Sequence, residues 1–297
     1  MTKKIRILVI IALILAFFLG IGIMFYPLIS TRYMDTVRSE IHTQYQQELT
    51  ARPDQELDLI LQNARDFNVR LFQDPSFRLQ SEENGYYQQM LVPGIPDIMG
   101  YITIPRLNIN LPILHGVDTD ALSSGCGHMP QTSLPVGGSS THAVLSAHTG
   151  MANAKMFSDL PLLRPGDLWQ IETLGQILTY EIQSDADIQT VLPHQVQTIH
   201  IQEGDDLCTL VTCVPFGVNT HRLLVTGHRI PTPTDDETPD GQMPIIQEHH
   251  PESVWELEYR HSFLLGIKIV GIVFLIAIIT YFLIIKIRKY RNRNRHV

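Results

Sequence analysis

Cys213 is the residue of this chain whose surroundings best suit covalent chemistry. It ends an apolar, β-branched run over residues 209–213. After a short turn, a second such run begins with His221 and Arg222. If the two runs pair as an antiparallel hairpin, Cys213 and Arg222 flank the turn and face each other across about 5 Å. A fixed guanidinium there can favour a thiolate, a developing oxyanion or a bound peptide. The pattern predicts a reactive cysteine rather than a packed sulfur.

A cysteine nucleophile needs a proton partner, which is usually histidine. The part of the chain that we expect to form the folded barrel, residues 99–231, offers eight: His115, His128, His142, His148, His194, His200, His221 and His228. Spacing does not choose among them, although His148 follows a strand-like run and opens a turn, where sites are often built. Arg229 competes with Arg222, but an odd number of strand positions separates the two, so Arg229 should face the other way.

Three ordered motifs resemble those of the sortase family, most closely its class C, or pilus-assembly, branch from Gram-positive bacteria. Residues 209–213, Thr-Leu-Val-Thr-Cys, are similar to the TLxTC signature around that family's nucleophile. Residues 219–223 are similar to the region of its active-site arginine, and residues 146–150 to its histidine loop. The resemblance covers roughly residues 70–285. It implies that the histidine of the site is His148.

The resemblance implies an activity as well as a site. Cys213 would attack the carbonyl of the Thr-Gly bond in an LPxTG-like sorting signal. His148 would serve as the proton donor and acceptor, and Arg222 would stabilise the oxyanion or hold the bound peptide. A lysine amine of the next pilin would then resolve the thioester, without a metal or other cofactor. Two other interpretations stay open: a housekeeping sortase that joins surface proteins to a cell-wall precursor, and a non-enzymatic, membrane-tethered binding domain in which the cysteine is buried.

Pilus-assembly sortases carry a lid loop with an Asp-Pro-aromatic motif over the site. The candidate here is the loop 73–79, with Asp74, Pro75 and Phe77, in which a serine separates the proline from the ring. By this resemblance the carboxylate would pair with the active-site arginine and the ring would cover the thiol. An ordinary Asp-Pro turn is the other interpretation.

Short β-branched runs between Gly, Pro, Asn and Asp predict the scaffold that positions these residues. The runs cover residues 101–104, 109–114, 143–146, 168–172, 180–188, 207–212 and 222–230. Helical pieces are predicted at 118–122 and 156–163. We therefore expect a mostly β fold, a closed barrel of sortase type with about seven to eight strands and short helices over residues 99–231. Residues 31–98 should form a helical extension in front of it.

Both chain ends predict membrane spans. Residues 7–30 carry no charge and follow the basic residues of 1–6, and residues 263–285 are apolar apart from Lys268 and precede the basic tail 286–297. Each stretch is long enough to cross about 30 Å of hydrocarbon. Because basic flanks stay inside, we expect a multi-pass protein of the cell membrane with both termini cytoplasmic and the catalytic domain extracellular. A cleaved signal peptide is the alternative for the first span.

The remaining composition excludes some partners. Ten of the 22 Lys and Arg residues lie in the terminal segments, which leaves 12 basic against 30 acidic side chains in residues 31–262. That excess of acidic side chains argues against a nucleic acid partner, because nucleic acids are bound through clustered Lys and Arg. The acidic stretch within 232–262 is interpreted as a solvated linker.

Two further cysteines, Cys126 and Cys208, allow two interpretations. They are either buried small hydrophobes or the one pair that could form a disulfide while leaving Cys213 free. No zinc spacing such as CxxC or HExxH occurs, so we expect no metal.

Overall fold

The computed structural model describes residues 3–94, 98–151, 154–233 and 253–293 of the chain. Within these residues the α-helices are Lys3–Ala51 (α1), Asp54–Gln73 (α2), Pro75–Glu83 (α3), Thr119–Ser124 (α4) and Val254–Arg293 (α5). The strands are Ile98–Ile104 (β1), Ile109–His115 (β2), Cys126–His128 (β3), Thr141–Ser146 (β4), Leu168–Thr173 (β5), Gln176–Glu181 (β6), Ile188–Val191 (β7), Asp206–Val214 (β8) and His221–Ile230 (β9). Short 3₁₀ turns lie at Tyr87–Gln89, Pro105–Leu107, Leu160–Leu162, Asp185–Asp187 and Pro193–Thr198.

Eight of the strands form a closed barrel. Their order is β6-β5-β1-β2-β3-β4-β8-β9, and the pairing of β6 with β9 closes the ring, while β7 pairs with β9. The pairings are antiparallel except for β2 with β3 and β4 with β8, which are parallel. Closure satisfies the backbone groups that an open sheet would leave at its edges. The predicted mostly β, closed barrel is therefore confirmed.

The helices of the N-terminal extension pack on this barrel. In α1, the hydroxyl of the fully buried Tyr45 accepts a hydrogen bond from the backbone N–H of Leu174 at 3.0 Å. In α2, the amide of Asn68 both donates to the carbonyl of Leu134 (3.0 Å) and accepts from its N–H (2.7 Å). Buried residues of α2 recur at helical spacing, as an amphipathic helix requires; they are Leu61, Ala64, Phe67, Asn68 and Leu71.

One predicted strand is wrong in part. Residues 180–188 are not a single strand, because β6 ends at Glu181 and β7 begins at Ile188. Between them the Asp187 carboxylate accepts hydrogen bonds from the N–H (2.8 Å) and hydroxyl (3.1 Å) of Ser184. This local cap stabilises a 3₁₀ turn, which competes with extended backbone.

The two chain ends form a compact unit of their own, up to Thr31 and from Glu256, and Arg32–Trp255 form the other. By length and composition, one described helical segment, Gly266–Lys286, could cross a membrane. On the N-terminal side, Phe17–Tyr26 and Ile29–Ala51 meet the same criterion only together, with a 44° bend between them.

Two membrane spans therefore stay a prediction. The predicted linker 232–262 falls largely outside the described residues, and its last part is already helical because α5 begins at Val254. The final residues of the predicted basic tail, 294–297, also lie outside the described part of the chain.

Candidate active site

The β8–β9 hairpin carries the predicted nucleophile and the predicted arginine. Its register sets Cys213 directly opposite Arg222. Directly opposed residues of an antiparallel pair project from the same face, so the two side chains share one side of the hairpin. Arg222 Nη1 donates hydrogen bonds to the carbonyl oxygens of Asn219 (3.2 Å) and His221 (3.1 Å). The turn thereby holds the guanidinium at the end of the hairpin where the thiol lies.

His148 comes just after β4, the strand on the other side of β8. The two strands run parallel with Ser146 opposite Val211, and the N–H of Ala147 donates to the Val211 carbonyl at 3.1 Å. Strand β4 ends at Ser146; if this register continues for two residues beyond it, His148 is level with Cys213. On that register, the histidine, the cysteine and the arginine form one row across three neighbouring strand ends.

This row lies on the outer side of the barrel wall. Residues two apart on a strand share a face. Cys208 of β8 belongs to the main hydrophobic core. Val211 instead packs with Val144 and Leu224 in a separate small cluster. Cys213 lies an even number of positions from Val211, so it shares that face of the strand, and it is only partly buried.

The loop that carries His148 is fixed by its own contacts. The carbonyl of His148 accepts a hydrogen bond from Phe157 N at 3.0 Å, and Gly150 N donates to Ser158 Oγ at 3.0 Å. Gly150 has a φ of 74°, which favours glycine, and Phe216 of the β8–β9 loop packs against it, since a Cβ added there would lie 3.5 Å from the ring. Phe216 thus joins the histidine loop to the hairpin, and no sequence pattern singles it out.

Two other histidine candidates serve the fold. His128 is fully buried, with Nδ1 at 2.9 Å from the Tyr87 hydroxyl and Nε2 at 2.8 Å from the Ser133 carbonyl. Burial lowers the pKa of His128 to about 4. His142 Nε2 lies 2.7 Å from the Thr209 hydroxyl, and burial lowers the pKa of this ring too. Both imidazoles are engaged in structural hydrogen bonds.

The candidate lid segment 73–79 is a junction between helices and not the expected loop. Helix α2 ends at Gln73 and α3 begins at Pro75, with Asp74 between them. Asp74 Oδ1 accepts hydrogen bonds from the backbone N (3.0 Å) and Oγ (2.6 Å) of Ser76, and these bonds lower the pKa of its carboxyl. An acidic N-cap followed by proline is a favoured helix start, which explains the difference from a loop.

Phe77, the aromatic residue of the candidate lid, is buried, with 3% of its surface exposed. Its ring centroid lies 5.2 Å from that of Phe67 and 6.0 Å from that of Tyr86. The guanidinium carbon of Arg70 stands 4.1 Å above the ring. These contacts lie within the helical extension, and a role of Asp74, Pro75 and Phe77 as a lid over the thiol stays a prediction.

The other two cysteines differ from Cys213. Cys126 and Cys208 are free thiols and fully buried. Burial raises the pKa of both thiols well above the ordinary value. The pair that could oxidise is therefore not bonded in this structure. Among the described residues no group of three or more His, Cys, Asp or Glu side chains is arranged to hold a metal ion.

A family model described as the Sortase domain matches residues 102–230. Among curated proteins, Sortase A of Streptococcus agalactiae is 33% identical over 119 residues, which are 39% of this chain and 47% of that protein. The chain thus spans about half the length of this relative. Sortase D of Bacillus subtilis is 26% identical over 163 residues, which are 53% of this chain and 77% of that protein.

Solved structures of similar proteins extend the likeness to almost their full length. Sortase C1 from Streptococcus agalactiae is 39% identical with a TM-score of 0.60, covering 64% of this chain and 98% of that one. Sortase C-1 from Actinomyces oris is 40% identical with a TM-score of 0.54, covering 60% and 99%. Clostridium perfringens sortase C, solved with the C-terminal cell wall sorting motif, is 38% identical with a TM-score of 0.54, covering 64% and 97%.

Proposed function

The chain belongs to the sortase family of cysteine transpeptidases, and we propose that it is a pilus-assembly enzyme of class C. One observation carries the proposal. Sortase C structures that are 38–40% identical to this chain are covered over 97–99% of their length, so the likeness includes the helical extension as well as the barrel.

The first half-reaction cleaves an LPxTG-like sorting signal between threonine and glycine. The Cys213 thiolate attacks the threonine carbonyl, so that a carbon–sulfur bond forms and the carbon–nitrogen bond to glycine breaks. His148, as imidazolium, gives its proton to the departing glycine amine. The product is a thioester that holds the first pilin on the enzyme. The row of strand ends described above supports this pairing of thiol and imidazole.

The second half-reaction transfers the acyl group to a lysine amine of the next pilin. The amine attacks the thioester, a carbon–nitrogen bond forms and the carbon–sulfur bond breaks. His148 takes the proton that the amine loses, which restores the imidazolium and the thiolate. One amide replaces another, so the step needs no nucleotide. Repetition of the cycle polymerises pilins through isopeptide bonds.

Arg222 has the electrostatic role in both steps. Each passes through a tetrahedral species in which the former carbonyl oxygen carries negative charge, and a fixed guanidinium stabilises such an oxyanion. The hydrogen bonds of Arg222 to the two carbonyls of the turn support this role, because they hold the cation in place before the charge develops.

The substrates of this reaction are delivered at a membrane surface. Sortases are membrane-associated, and Gly266–Lys286 provides one apolar helix for attachment. We propose that the first part of α1 forms the second span, that both termini are cytoplasmic, and that the barrel acts outside the cell on pilins.

A mass analysis of the product tests the function. The full chain in detergent is mixed with a pilin that bears a sorting signal, and the product is separated by size and sequenced by mass spectrometry. We expect a ladder of pilins joined through a lysine. Single proteins joined to a peptidoglycan fragment would instead assign the housekeeping role. An unreacted pilin without any thioester would contradict transpeptidase activity.

A further inference from the structure

Thr212 is next to the nucleophile but points away from it. Successive residues of a strand face opposite sides, so Thr212 projects towards the barrel interior when Cys213 projects outwards. Only 1% of the surface of Thr212 is exposed. Its side chain therefore stands on the other side of the wall from a peptide bound at the thiol.

The hydroxyl of Thr212 reaches the residue that precedes the histidine. Thr212 Oγ1 donates a hydrogen bond to the carbonyl oxygen of Ala147 at 2.9 Å, in a buried setting. The N–H of the same residue, Ala147, donates to the carbonyl of Val211 at 3.1 Å. Both backbone groups of Ala147 are thus held by β8, and the next residue in the chain is His148.

We propose that Thr212 is a positioning residue, whose hydroxyl fixes the distance and orientation of His148 relative to Cys213 through the backbone of Ala147. The inference rests on the proposed transpeptidase function. Proton transfer depends steeply on geometry, and a displacement of about 1 Å can lower a rate roughly a hundredfold. Without the bond, the carbonyl of Ala147 loses its side-chain partner and the histidine loop gains freedom at its first residue.

A second buried threonine provides a matched control. Thr173 of β5 is fully buried, and its hydroxyl donates to the carbonyl of Met99 at 2.8 Å. Replacing either threonine by valine removes the same kind of bond and keeps nearly the same shape. A purely structural role predicts equal effects of the two substitutions on turnover, whereas positioning predicts an effect at Thr212 alone.

The experiment measures kcat and KM of acyl-enzyme formation from a sorting-signal peptide by the full chain in detergent. Thr212→Val should lower kcat at least about tenfold and change KM less than about twofold, because the hydroxyl does not touch the peptide. Thr212→Ser should restore kcat to within about threefold of wild type, since it restores the donor. Thr173→Val should keep kcat within about twofold of wild type.

Several results would overturn the proposal. They are a Thr212→Val enzyme with more than half the wild-type kcat, an equal loss in Thr173→Val, and a failure of serine to rescue. Should Thr212→Val not fold by circular dichroism, Thr212→Ala removes the same hydroxyl and is judged by the same limits. If the wild-type chain forms no acyl-enzyme, the proposed function itself is contradicted. If wild type and Thr212→Val are equally active, only the positioning role of Thr212 is contradicted.

Discussion

Cys208 and Cys213 lie five residues apart on β8 and occupy two different regions of the molecule. Cys208 faces the barrel interior, where burial raises the pKa of its thiol. Cys213 lies near the C-terminal end of β8, where it is partly exposed and opposite Arg222. The same residue type is thus inert in one region and accessible in the other. The face of the strand and the distance from the strand end therefore decide whether a cysteine is a packing group or is accessible enough for the proposed nucleophilic role.

The histidines repeat the contrast. The ring of His128 is buried, and the Tyr87 hydroxyl and the Ser133 carbonyl engage its two nitrogens. His148 is half-buried and follows the end of β4, which pairs with β8. A side chain that keeps exposed surface can meet a substrate and exchange protons with it, whereas an enclosed and engaged ring serves stability. The two regions therefore respond to different perturbations.

The largest expected effect separates the two cysteines. Cys213→Ala should abolish thioester formation and pilin laddering, a loss of at least about 10⁴-fold. Cys208→Ala should keep activity within a few-fold and lower the free energy of unfolding by about 1 kcal/mol, because it leaves a small cavity. Mass spectrometry of the acyl-enzyme and urea unfolding measure the two effects. A laddering Cys213→Ala enzyme would dispose of the mechanism.

The next effect separates two arginines of β9. Arg222→Ala should lower the rate of acylation about 10²- to 10⁴-fold with the fold intact, and His148→Ala should do the same. Arg229→Ala is the control, because Arg229 lies opposite Tyr180 on the other side of the strand, 5.8 Å from that ring. Stopped-flow acylation and circular dichroism check the outcome. Near-normal acylation by either of the first two variants would refute the role given to that residue.

The smallest effect concerns His128 and the dependence of stability on pH. Its folded pKa is about 4, below the ordinary value of about 6.5. Between these values the unfolded chain binds a proton that the folded chain does not. Stability should therefore fall as the pH drops from about 6.5 to about 4, by up to about 3 kcal/mol from this ring.

Urea unfolding of the full chain at several pH values measures this slope. His128→Gln should flatten it, and His194→Gln should leave it unchanged, because His194 is exposed. Some slope should remain in His128→Gln, since burial also lowers the pKa of His142. An identical slope in His128→Gln and wild type would show that the buried ring is not the group that titrates.

The sequence pattern predicts the hairpin of the site because its signals are local. Two β-branched runs flank one short turn, and the observed register sets Cys213 against Arg222 as that pattern requires. The position of His148 is harder, because β4 joins β8 through pairing between distant segments. Periodicity alone leaves eight histidines open, and only the family motifs select one.

Other features escape sequence reasoning for physical reasons. The strand β3, Cys126–His128, has three residues and contains a glycine, so it is too short to show alternation. The interruption near Ser184 depends on a side-chain cap that competes with a strand-like run. Asp74 and Pro75 are compatible both with a turn and with a helix start. The structure has the helix start, in which Phe77 of α3 packs against Phe67 of α2.

The parallel pairing of β4 with β8 has a consequence for timing. The chain passes through β5, β6 and β7 before it reaches β8. While the protein is being synthesised, His148 is therefore made long before Cys213, and a nascent chain that ends before β8 contains the histidine without the cysteine. Under the proposed mechanism, a molecule truncated before β8 therefore lacks the thiol and cannot form the thioester.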